Sequence, residues 1–240
     1  MLGFSVAGSN VVSAGGSGNP NATAELTWGL ILSSLRSLPR EVTSLKNGGW
    51  QSTLGIGVSG KTIGIYAYGK IGSIVAGVGK AFGARVICWG REGSTGRAKA
   101  AGFEVAKSRE DFFAEVDIVS FHLPLNKDTR GIVTSNDLAR MKPSALLVNA
   151  SRSGLIAKGA LVEALKAGRP GFAAVDVYDK EPVGADEPLI KLANVTCTPH
   201  LGYVTRESYE EYYATVVDDI VSFAAGKPSH VLNPAAIGKK

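Results

Sequence analysis

The sequence predicts an α/β fold built on a doubly wound parallel sheet. Short β-branched runs alternate with helix-like segments from residue 62 to residue 198, and this alternation is typical of a parallel sheet with helices on both faces. The strand-like runs are almost continuously apolar, as expected where helices cover both faces of a sheet. With 240 residues, 45% of them hydrophobic, the chain is long enough for one or two domains with a sizeable core.

The predicted elements follow one another along the chain. The strands are Thr62–Tyr66, Arg85–Trp89, Asp117–Phe121, Ala145–Asn149, Ala173–Val177 and Val195–Thr198. The helices between them are Ile71–Phe82, Arg109–Ala114, Thr134–Met141 and Lys158–Ala167. Two longer helical patterns flank this region, at Ala22–Lys46 with an interruption at Pro39, and at Arg206–Ala225 before Gly226 and Pro228.

Composition argues against several classes of partner. The net charge is +5, but the Lys and Arg residues are spread along the chain and do not form the aromatic-rich basic cluster of a nucleic-acid groove. Cys88 and Cys197 lie in apolar strand-like runs, which predicts buried free thiols and a cytoplasmic setting. We also expect no metal, because no Cys/His grouping has zinc-site spacing. No apolar run approaches the roughly 18 residues of a membrane span, so no membrane partner is expected.

The stretch YAYGKIG, at residues 66–72, joins a predicted strand to a predicted helix. Gly69 and Gly72 have the spacing of a dinucleotide-binding turn, in which a helix N-terminus faces a pyrophosphate. Ala67 stands where the first glycine of that pattern belongs. If this position needs a positive φ, the alanine Cβ costs about 1–2 kcal/mol, whereas a negative φ costs little. The strand–turn–helix–strand context favours a Rossmann-like cofactor site over a structural corner without a ligand.

Gly90 and Arg91 follow the second predicted strand, where an NAD-binding turn usually carries Asp or Glu. An arginine at this point fits a 2′-phosphate, and no carboxylate repels it. The sequence therefore favours NADP, with NAD as the alternative. Glu92 argues against NADP, and Arg91 as an ordinary surface residue is the other interpretation.

Reactive side chains follow three later strands. Arg152 lies in LLVNASRSG, Asp176 and Glu181 lie in AAVDVYDKEP, and His200 lies in VTCTPHLGY. Because ligands of open parallel sheets bind at the carboxyl ends of the strands, Arg152, Glu181 and His200 are predicted to converge beside a nicotinamide. Each signal taken alone is weak, since a lone histidine after a strand is more often structural.

Together these stretches resemble the D-isomer-specific 2-hydroxyacid dehydrogenase family, which includes glyoxylate/hydroxypyruvate reductases and phosphoglycerate dehydrogenases. The matching stretches are NATAELTWGLIL, TIGIYAYGKIG, FHLPLNKDTRGI, LLVNASRSGLI, AAVDVYDKEP and TPHLGY, in family order. The resemblance implies an NAD(P)-dependent oxidoreductase that reduces a small 2-oxo acid to the D-2-hydroxy acid. It implies that Arg152 binds the substrate, that His200 is the general acid or base, and that Glu181 pairs with His200.

The resemblance also implies a set of cofactor contacts. Besides Gly69, Gly72, Gly90 and Arg91, the set comprises Lys70, Ile71, Leu123, Pro124, Thr129, Ala150, Ser151, Arg152, Asp176, His200 and Gly202. Lys70 and Ile71 are expected over the pyrophosphate, and Asp176 is expected beside the nicotinamide amide. His122 is expected to be a structural part of the loop after its strand.

The resemblance further implies an N-terminally truncated chain. Residues 1–21 would be the remnant of a flavodoxin-like substrate domain, residues 22–204 the NAD(P)-binding domain with an interdomain or dimer helix at 22–46, and residues 205–240 a helix returning to the substrate domain. We expect a homodimer, because the family dimerises and two helices would otherwise expose apolar faces. The alternatives are a catalytically inactive NAD(P)-binding or interaction module and a truncated fragment that does not fold stably.

Overall fold

A computed structural model of the chain describes residues 4–5, 12–13 and 18–234. They form two compact units, of which one is Thr23–Gly202 and the other combines the described residues of Met1–Ala22 and Tyr203–Lys240. Most of the predicted substrate-domain remnant at residues 1–21 lies outside the described residues, as do residues 235–240. The described strands of that remnant, β1 (Phe4–Ser5) and β2 (Val12–Ser13), pair antiparallel. The domain boundaries expected from the family resemblance stay a prediction.

A seven-stranded sheet, parallel throughout, forms the centre of the larger unit. Its strands are β3 (Thr62–Tyr66), β4 (Arg85–Trp89), β5 (Glu104–Val105), β6 (Ile118–Phe121), β7 (Leu146–Asn149), β8 (Phe172–Val175) and β9 (Val195–Cys197). The α-helices of the described residues are α1 (Pro20–Leu35), α2 (Leu38–Lys46), α3 (Lys70–Ala81), α4 (Glu92–Ala100), α5 (Arg109–Glu115), α6 (Ser135–Arg140), α7 (Ala160–Lys166) and α8 (Arg206–Ala224). The predicted doubly wound α/β class is therefore confirmed.

The strand order β5-β4-β3-β6-β7-β8-β9 reverses direction between β3 and β6. The chain first adds β4 and β5 on one side of β3, and then returns to pair β6 on the other side. Such a reversal leaves a crevice at the carboxyl ends of the two strands, where ligands of open α/β sheets bind. Tyr66 and Phe121 end the two strands and are paired in register, so the residues that follow them emerge at the same edge.

Two hydrophobic clusters cover the two faces of the sheet. Because successive side chains of a strand point to opposite faces, Ile63 and Ile65 of β3 belong to the cluster that includes Val75 of α3. Tyr66 belongs to the other cluster, where its ring meets Phe112 of α5 edge-on. Burying apolar surface on both faces fixes β3 at the centre of the sheet and with it the position of the turn that follows.

The predicted strands are all present, two with the predicted ends and four with ends that differ by one or two residues. The expected interruption of the first helix at Pro39 is wrong in position. The break lies at Ser37, which has a left-handed φ of 48°, and Pro39 lies in the first turn of α2. Proline is tolerated there because the N–H that it lacks would have no partner within the helix.

Helix α4 and strand β5 are missing from the sequence prediction. The α4 segment EGSTGRAKA contains two glycines and no apolar repeat, so its pattern does not indicate a helix. The rest of the fold nevertheless stabilises this helix, since its residues Ser94 and Ala98 are buried. Tertiary packing here overrides a weak local preference.

Both cysteines are free thiols, Cys88 buried and Cys197 partly buried. Burial raises the pKa of the Cys88 thiol to about 12, so this group stays protonated and unreactive at neutral pH. The expected cytoplasmic setting stays a prediction. Within the described ranges, no helix combines the length and the apolar character needed to cross a membrane.

Gly72 should be intolerant of any side chain, because α3 lies against the turn after β3 at this residue. A Cβ on Gly72 would lie 2.5 Å from the Ala67 carbonyl oxygen and 3.1 Å from Cγ2 of Ile65. We expect Gly72→Ala to lower the free energy of unfolding by about 1–3 kcal/mol, as overpacking does. Urea denaturation measures the change.

Gly77 of the same helix is the matched control. A Cβ there would meet no heavy atom of the described chain within 4 Å. Gly77→Ala should therefore stabilise the protein by up to about 1 kcal/mol through helix propensity. Equal changes in the free energy of unfolding for the two substitutions would show that close packing at Gly72 does not restrict this position.

Candidate active site at the carboxyl edge of the sheet

The turn between β3 and α3 contains an alanine with a positive φ. Ala67 has φ 77°, so the costlier of the two sequence alternatives applies, at about 1–2 kcal/mol. The Ala67 N–H donates to the Trp89 carbonyl at 2.8 Å, and the Ala67 carbonyl accepts from the Gly69 N–H at 3.0 Å. Backbone contacts on both sides therefore hold this residue in its left-handed conformation.

Gly69 precedes α3 and leaves the helix N-terminus open. A Cβ on Gly69 would meet no heavy atom of the described residues within 4 Å, so the space in front of the helix is accessible. The first N–H groups of the helix, those of Lys70 and Ile71 included, have no carbonyl partner within it. Together with the positive end of the helix dipole they fit a pyrophosphate.

Gly90 and Arg91 lie where the adenosine end of a dinucleotide would follow. Gly90 has φ 154°, and a Cβ there would be 3.0 Å from Ser94 Oγ, so the backbone itself favours glycine. The Arg91 side chain is 72% exposed, and its Nη2 lies 3.5 Å from Oδ2 of Asp128, which belongs to the loop after β6. An ion pair this exposed contributes little free energy, so Arg91 can exchange Asp128 for a stronger anion.

The loop after β7 is fixed by its own hydrogen bonds. Asn149 is buried, its Nδ2 donates to the Arg152 carbonyl at 2.9 Å, and its Oδ1 accepts from the Ser151 N–H at 3.1 Å. Ser151 Oγ donates to the Leu123 carbonyl at 2.7 Å, which ties this loop to the loop after β6. Ala150 lies between these anchors, and the Arg152 side chain is exposed at the edge.

Asp176 is fully buried after β8 and holds the segment that carries His200. Its Oδ1 accepts from Thr198 Oγ1 at 2.6 Å and from the Leu201 N–H at 2.8 Å. Its Oδ2 accepts from the Gly202 N–H at 2.9 Å. A buried carboxylate needs such donors in place of water. The expected contact of Asp176 with the nicotinamide amide stays a prediction, and its carboxylate is engaged by the loop.

His200 and Glu181 form a close pair. His200 Nδ1 lies 2.6 Å from Glu181 Oε2, and the two side chains are 31% and 35% exposed. Glu181 Oε1 accepts from the Tyr178 N–H at 2.9 Å, which orients the carboxylate. His200 has a left-handed φ of 57°, so the backbone turns sharply where the imidazole projects. Nε2 is then the ring nitrogen that would exchange a proton with a substrate.

The pKa of Glu181 lies below its ordinary value. Burial alone would raise it, but hydrogen bonds from His200 and from the Tyr178 N–H lower it, as do the charges of His200 and Arg152. Glu181 is therefore ionised at neutral pH. Because the charge of Arg152 acts on the Glu181 carboxylate, the three predicted catalytic side chains share one electrostatic environment.

The loop after β6 is built around Thr129. Its side chain is buried, Oγ1 donates to the Pro124 carbonyl at 2.6 Å, and the same oxygen accepts from the Asn126 N–H at 2.9 Å. Leu123 is also buried. Thr129 thus shapes the loop, and its expected contact with the cofactor stays a prediction.

His122 begins the same loop, and its Nε2 is buried without a hydrogen-bond partner among the described residues. Burial lowers the pKa of His122 to about 4, so the imidazole is neutral at pH 7. A neutral, enclosed imidazole supports the structural role expected for it. In residues 4–5, 12–13 and 18–234, no three His, Cys, Asp or Glu side chains come together in a way that could hold a metal ion.

Ser94 and Tyr178 make contacts at this edge, and neither residue is among the predicted site residues. Ser94 Oγ accepts from the Tyr68 N–H at 2.7 Å, inside the predicted phosphate turn. Tyr178 contributes its N–H to Glu181, and its hydroxyl donates to the Thr198 carbonyl at 3.0 Å. The position after a strand end was the one signal available for Tyr178, and Ser94 lies on the helix that the sequence pattern does not predict.

Known proteins with similar sequences and structures agree with this architecture. The family model for the NAD binding domain of D-isomer specific 2-hydroxyacid dehydrogenases matches residues 28–202. The glyoxylate reductase of Aeropyrum pernix is 39% identical over 222 residues, which cover 88% of this chain and 66% of that protein. The D-3-phosphoglycerate dehydrogenase of Archaeoglobus fulgidus is 37% identical, and the match covers 91% of this chain and 41% of that protein.

Among solved structures, the phosphoglycerate oxidoreductase from Vibrio cholerae has a TM-score of 0.85 and 46% sequence identity. The match covers 88% of this chain and 68% of that one. The chain thus spans about two thirds of this structure and of the glyoxylate reductase, and a smaller share of the D-3-phosphoglycerate dehydrogenase. Since the family model covers most of the sequence, the chain belongs to the D-isomer-specific 2-hydroxyacid dehydrogenase family and contains its NAD-binding domain.

Proposed function

We propose that the protein reduces a small 2-oxo acid of the glyoxylate or hydroxypyruvate type to the D-2-hydroxy acid. The observation that carries the proposal is the 2.6 Å contact between His200 Nδ1 and Glu181 Oε2, within the electrostatic influence of Arg152. The names of the relatives, glyoxylate reductase and D-3-phosphoglycerate dehydrogenase, support the reaction class. A nicotinamide dinucleotide would supply the hydride.

Arg152 is the residue that binds and orients the substrate. A 2-oxo acid carries a carboxylate next to the carbonyl that is reduced, and a planar guanidinium can donate two parallel hydrogen bonds to such a group. The guanidinium also stabilises the negative charge that develops on the carbonyl oxygen. The Arg152 side chain is exposed, so a substrate can reach it without rearrangement of the core.

His200 provides the proton. Hydride addition at C2 leaves an alkoxide, which takes a proton from Nε2 of the imidazolium. Glu181 is ionised and lies against Nδ1, so it stabilises the imidazolium and fixes the orientation of the ring. In the oxidative direction the same nitrogen accepts the proton, and Glu181 again stabilises the charged ring.

The same proposal includes NADP as the preferred cofactor and a homodimer as the assembly. Arg91 lies 3.5 Å from the exposed Asp128, and so weak an ion pair supports a guanidinium that is available for a 2′-phosphate. On α2 and the segment after it, the large apolar residues Val42, Leu45 and Trp50 are exposed. A second copy of the chain would cover this apolar surface.

Loss of the His200 imidazole should slow the reduction strongly and change NADPH binding little. We expect His200→Ala to lower kcat for glyoxylate or hydroxypyruvate by about 10²–10⁴-fold, the usual contribution of a general acid, while NADPH still binds. The decrease in NADPH absorbance measures turnover, and quenching of NADPH fluorescence measures binding. His230→Ala is the control, because His230 pairs with Asp219 near the end of α8 and should leave turnover unchanged.

If the parent binds NADPH and reduces no 2-oxo acid in a broad panel, the protein is an NAD(P)-binding module without catalysis. If His200→Ala retains the parent's turnover, the assignment of the general acid is wrong.

Arg91 should decide the preference between the two cofactors. A charged hydrogen-bond partner contributes about 1.5–3 kcal/mol, so Arg91→Ala should raise the dissociation constant of NADPH about tenfold or more and change that of NADH little. Calorimetry with each cofactor measures both constants. Lys166→Ala on α7, which removes one exposed positive charge elsewhere, should affect both cofactors equally and weakly. Parallel losses for NADPH and NADH in Arg91→Ala would contradict recognition of a 2′-phosphate.

The Glu181–His200 pair should also leave a pH signature on stability. The folded-state pKa of Glu181 is lowered below 4.5, so its contribution is fully present above that value and is lost as the pH falls through the lowered pKa. Glu181→Gln should lower the free energy of unfolding by less than about 1 kcal/mol at pH 7. The effect is small because water screens a pair that is about one third exposed.

Urea unfolding at several pH values measures this difference between parent and variant. We expect the difference to be constant near neutral pH and to shrink below pH 4.5. Glu163→Gln, at another exposed glutamate, corrects for the loss of a surface carboxylate. A difference that grows toward acid would contradict the assigned sign.

A further inference from the structure

Helix α4 holds both backbone groups of Tyr68, the residue in the middle of the phosphate turn. The Tyr68 N–H donates to Ser94 Oγ at 2.7 Å. The Tyr68 carbonyl accepts from Arg97 Nε at 3.2 Å and from Arg97 Nη2 at 3.0 Å. One peptide segment is therefore fixed by two side chains that lie one helical turn apart on α4.

These bonds act next to the strained residue of the turn. Ala67, with φ 77°, directly precedes Tyr68, and relaxation of Ala67 toward negative φ would swing the Tyr68 backbone away from Ser94. Gly90, just before α4, lets the helix come this close, because a Cβ there would lie 3.0 Å from Ser94 Oγ and 3.5 Å from Ala67 Cα. The start of α4 is packed directly against the turn.

The Tyr68 side chain is anchored to the same part of the fold. It is buried, and its ring lies 5.5 Å from that of Phe103, which follows α4. The backbone and the ring of Tyr68 are thus both held by the α4 region. Since α4 begins directly after Arg91, one helix connects the residue proposed for the 2′-phosphate with the turn proposed for the pyrophosphate.

We propose that Ser94 and Arg97 are positioning residues for the cofactor. They hold the Ala67–Gly69 turn in the left-handed shape that exposes the N-terminus of α3 to a pyrophosphate. Arg97 acts through hydrogen bonds to the Tyr68 carbonyl and not as a charge on the phosphate. The inference rests on the proposed function, because a pyrophosphate-bearing nicotinamide dinucleotide is the ligand.

The test compares the affinities of NADH and NADPH in the full chain. Ser94→Ala and Arg97→Gln should each raise both dissociation constants by the same factor, about two- to tenfold for a lost hydrogen bond. The two dissociation constants should rise equally because the turn is proposed to bind the pyrophosphate, which NADH and NADPH share. Arg91→Ala should instead discriminate between them. Fluorescence titration of the reduced cofactors provides the readout without turnover.

Two variants on the same helix serve as matched controls. Thr95→Ala removes a hydroxyl that bonds to the Glu92 carbonyl within α4, and Lys99→Gln removes one exposed positive charge. Both should bind the cofactors nearly as the parent does. Arg97→Lys separates the two roles of arginine, because it keeps the charge and loses the planar fork. It should resemble Arg97→Gln, and parent-like affinity would overturn the positioning role of Arg97.

Ala67→Gly gives a readout that a merely structural role of α4 would not move. Glycine adopts positive φ without a Cβ clash, so the turn should depend less on its contacts with α4. The loss of affinity caused by Ser94→Ala should therefore be smaller in the Ala67→Gly background than in the parent.

Equal losses in the two backgrounds, or unchanged affinity in both Ser94→Ala and Arg97→Gln, would overturn the inference while the proposed function stands. A parent chain that binds neither NADH nor NADPH would overturn the proposed function and this inference with it.

Discussion

The parallel pairing of β3 with β6 is the constraint on which the candidate site depends. Tyr66 and Phe121 are paired in register, so the turn before α3 and the His122 loop start side by side. The pairing of Asn149 with Val175 continues the same edge across β7 and β8. The residues that follow these strands therefore emerge at one edge, where a rigid sheet positions the side chains of its loops.

Two carboxylates five positions apart, Asp176 and Glu181, hold His200 and the segment around it. Asp176 fixes the backbone of the segment through Thr198, Leu201 and Gly202, while Glu181 fixes the imidazole through Nδ1. Asp176 is buried and needs donors from the protein, whereas Glu181 is partly exposed and can respond to a ligand. Asp176 therefore fixes the backbone of the segment, and Glu181 interacts with the imidazole ring.

The strands, and the residues proposed for catalysis, both have local signals in the sequence. Apolar runs mark the strands, and polar residues directly after them mark the edge where ligands bind. The role of Asp176 has no such signal, because its partner Gly202 lies 26 residues further along the chain. Helix α4 is also not predicted, because its segment contains two glycines and no apolar repeat. Burial of Ser94 and Ala98, which depends on the rest of the fold, stabilises it.

Ala67 shows why a departure from a glycine pattern need not remove the site. Its positive φ costs about 1–2 kcal/mol, but an alanine restricts the unfolded chain more than a glycine does, which offsets about 0.4–1 kcal/mol. The remainder is of the size of one or two net hydrogen bonds. The Tyr68 N–H donates such a bond to Ser94, and the Tyr68 carbonyl accepts another from Arg97. The glycine that the pattern lacks is thus replaced by contacts from α4. Because these contacts come from the helix that starts after Arg91, α4 connects the turn with the residue that we propose to distinguish the two cofactors.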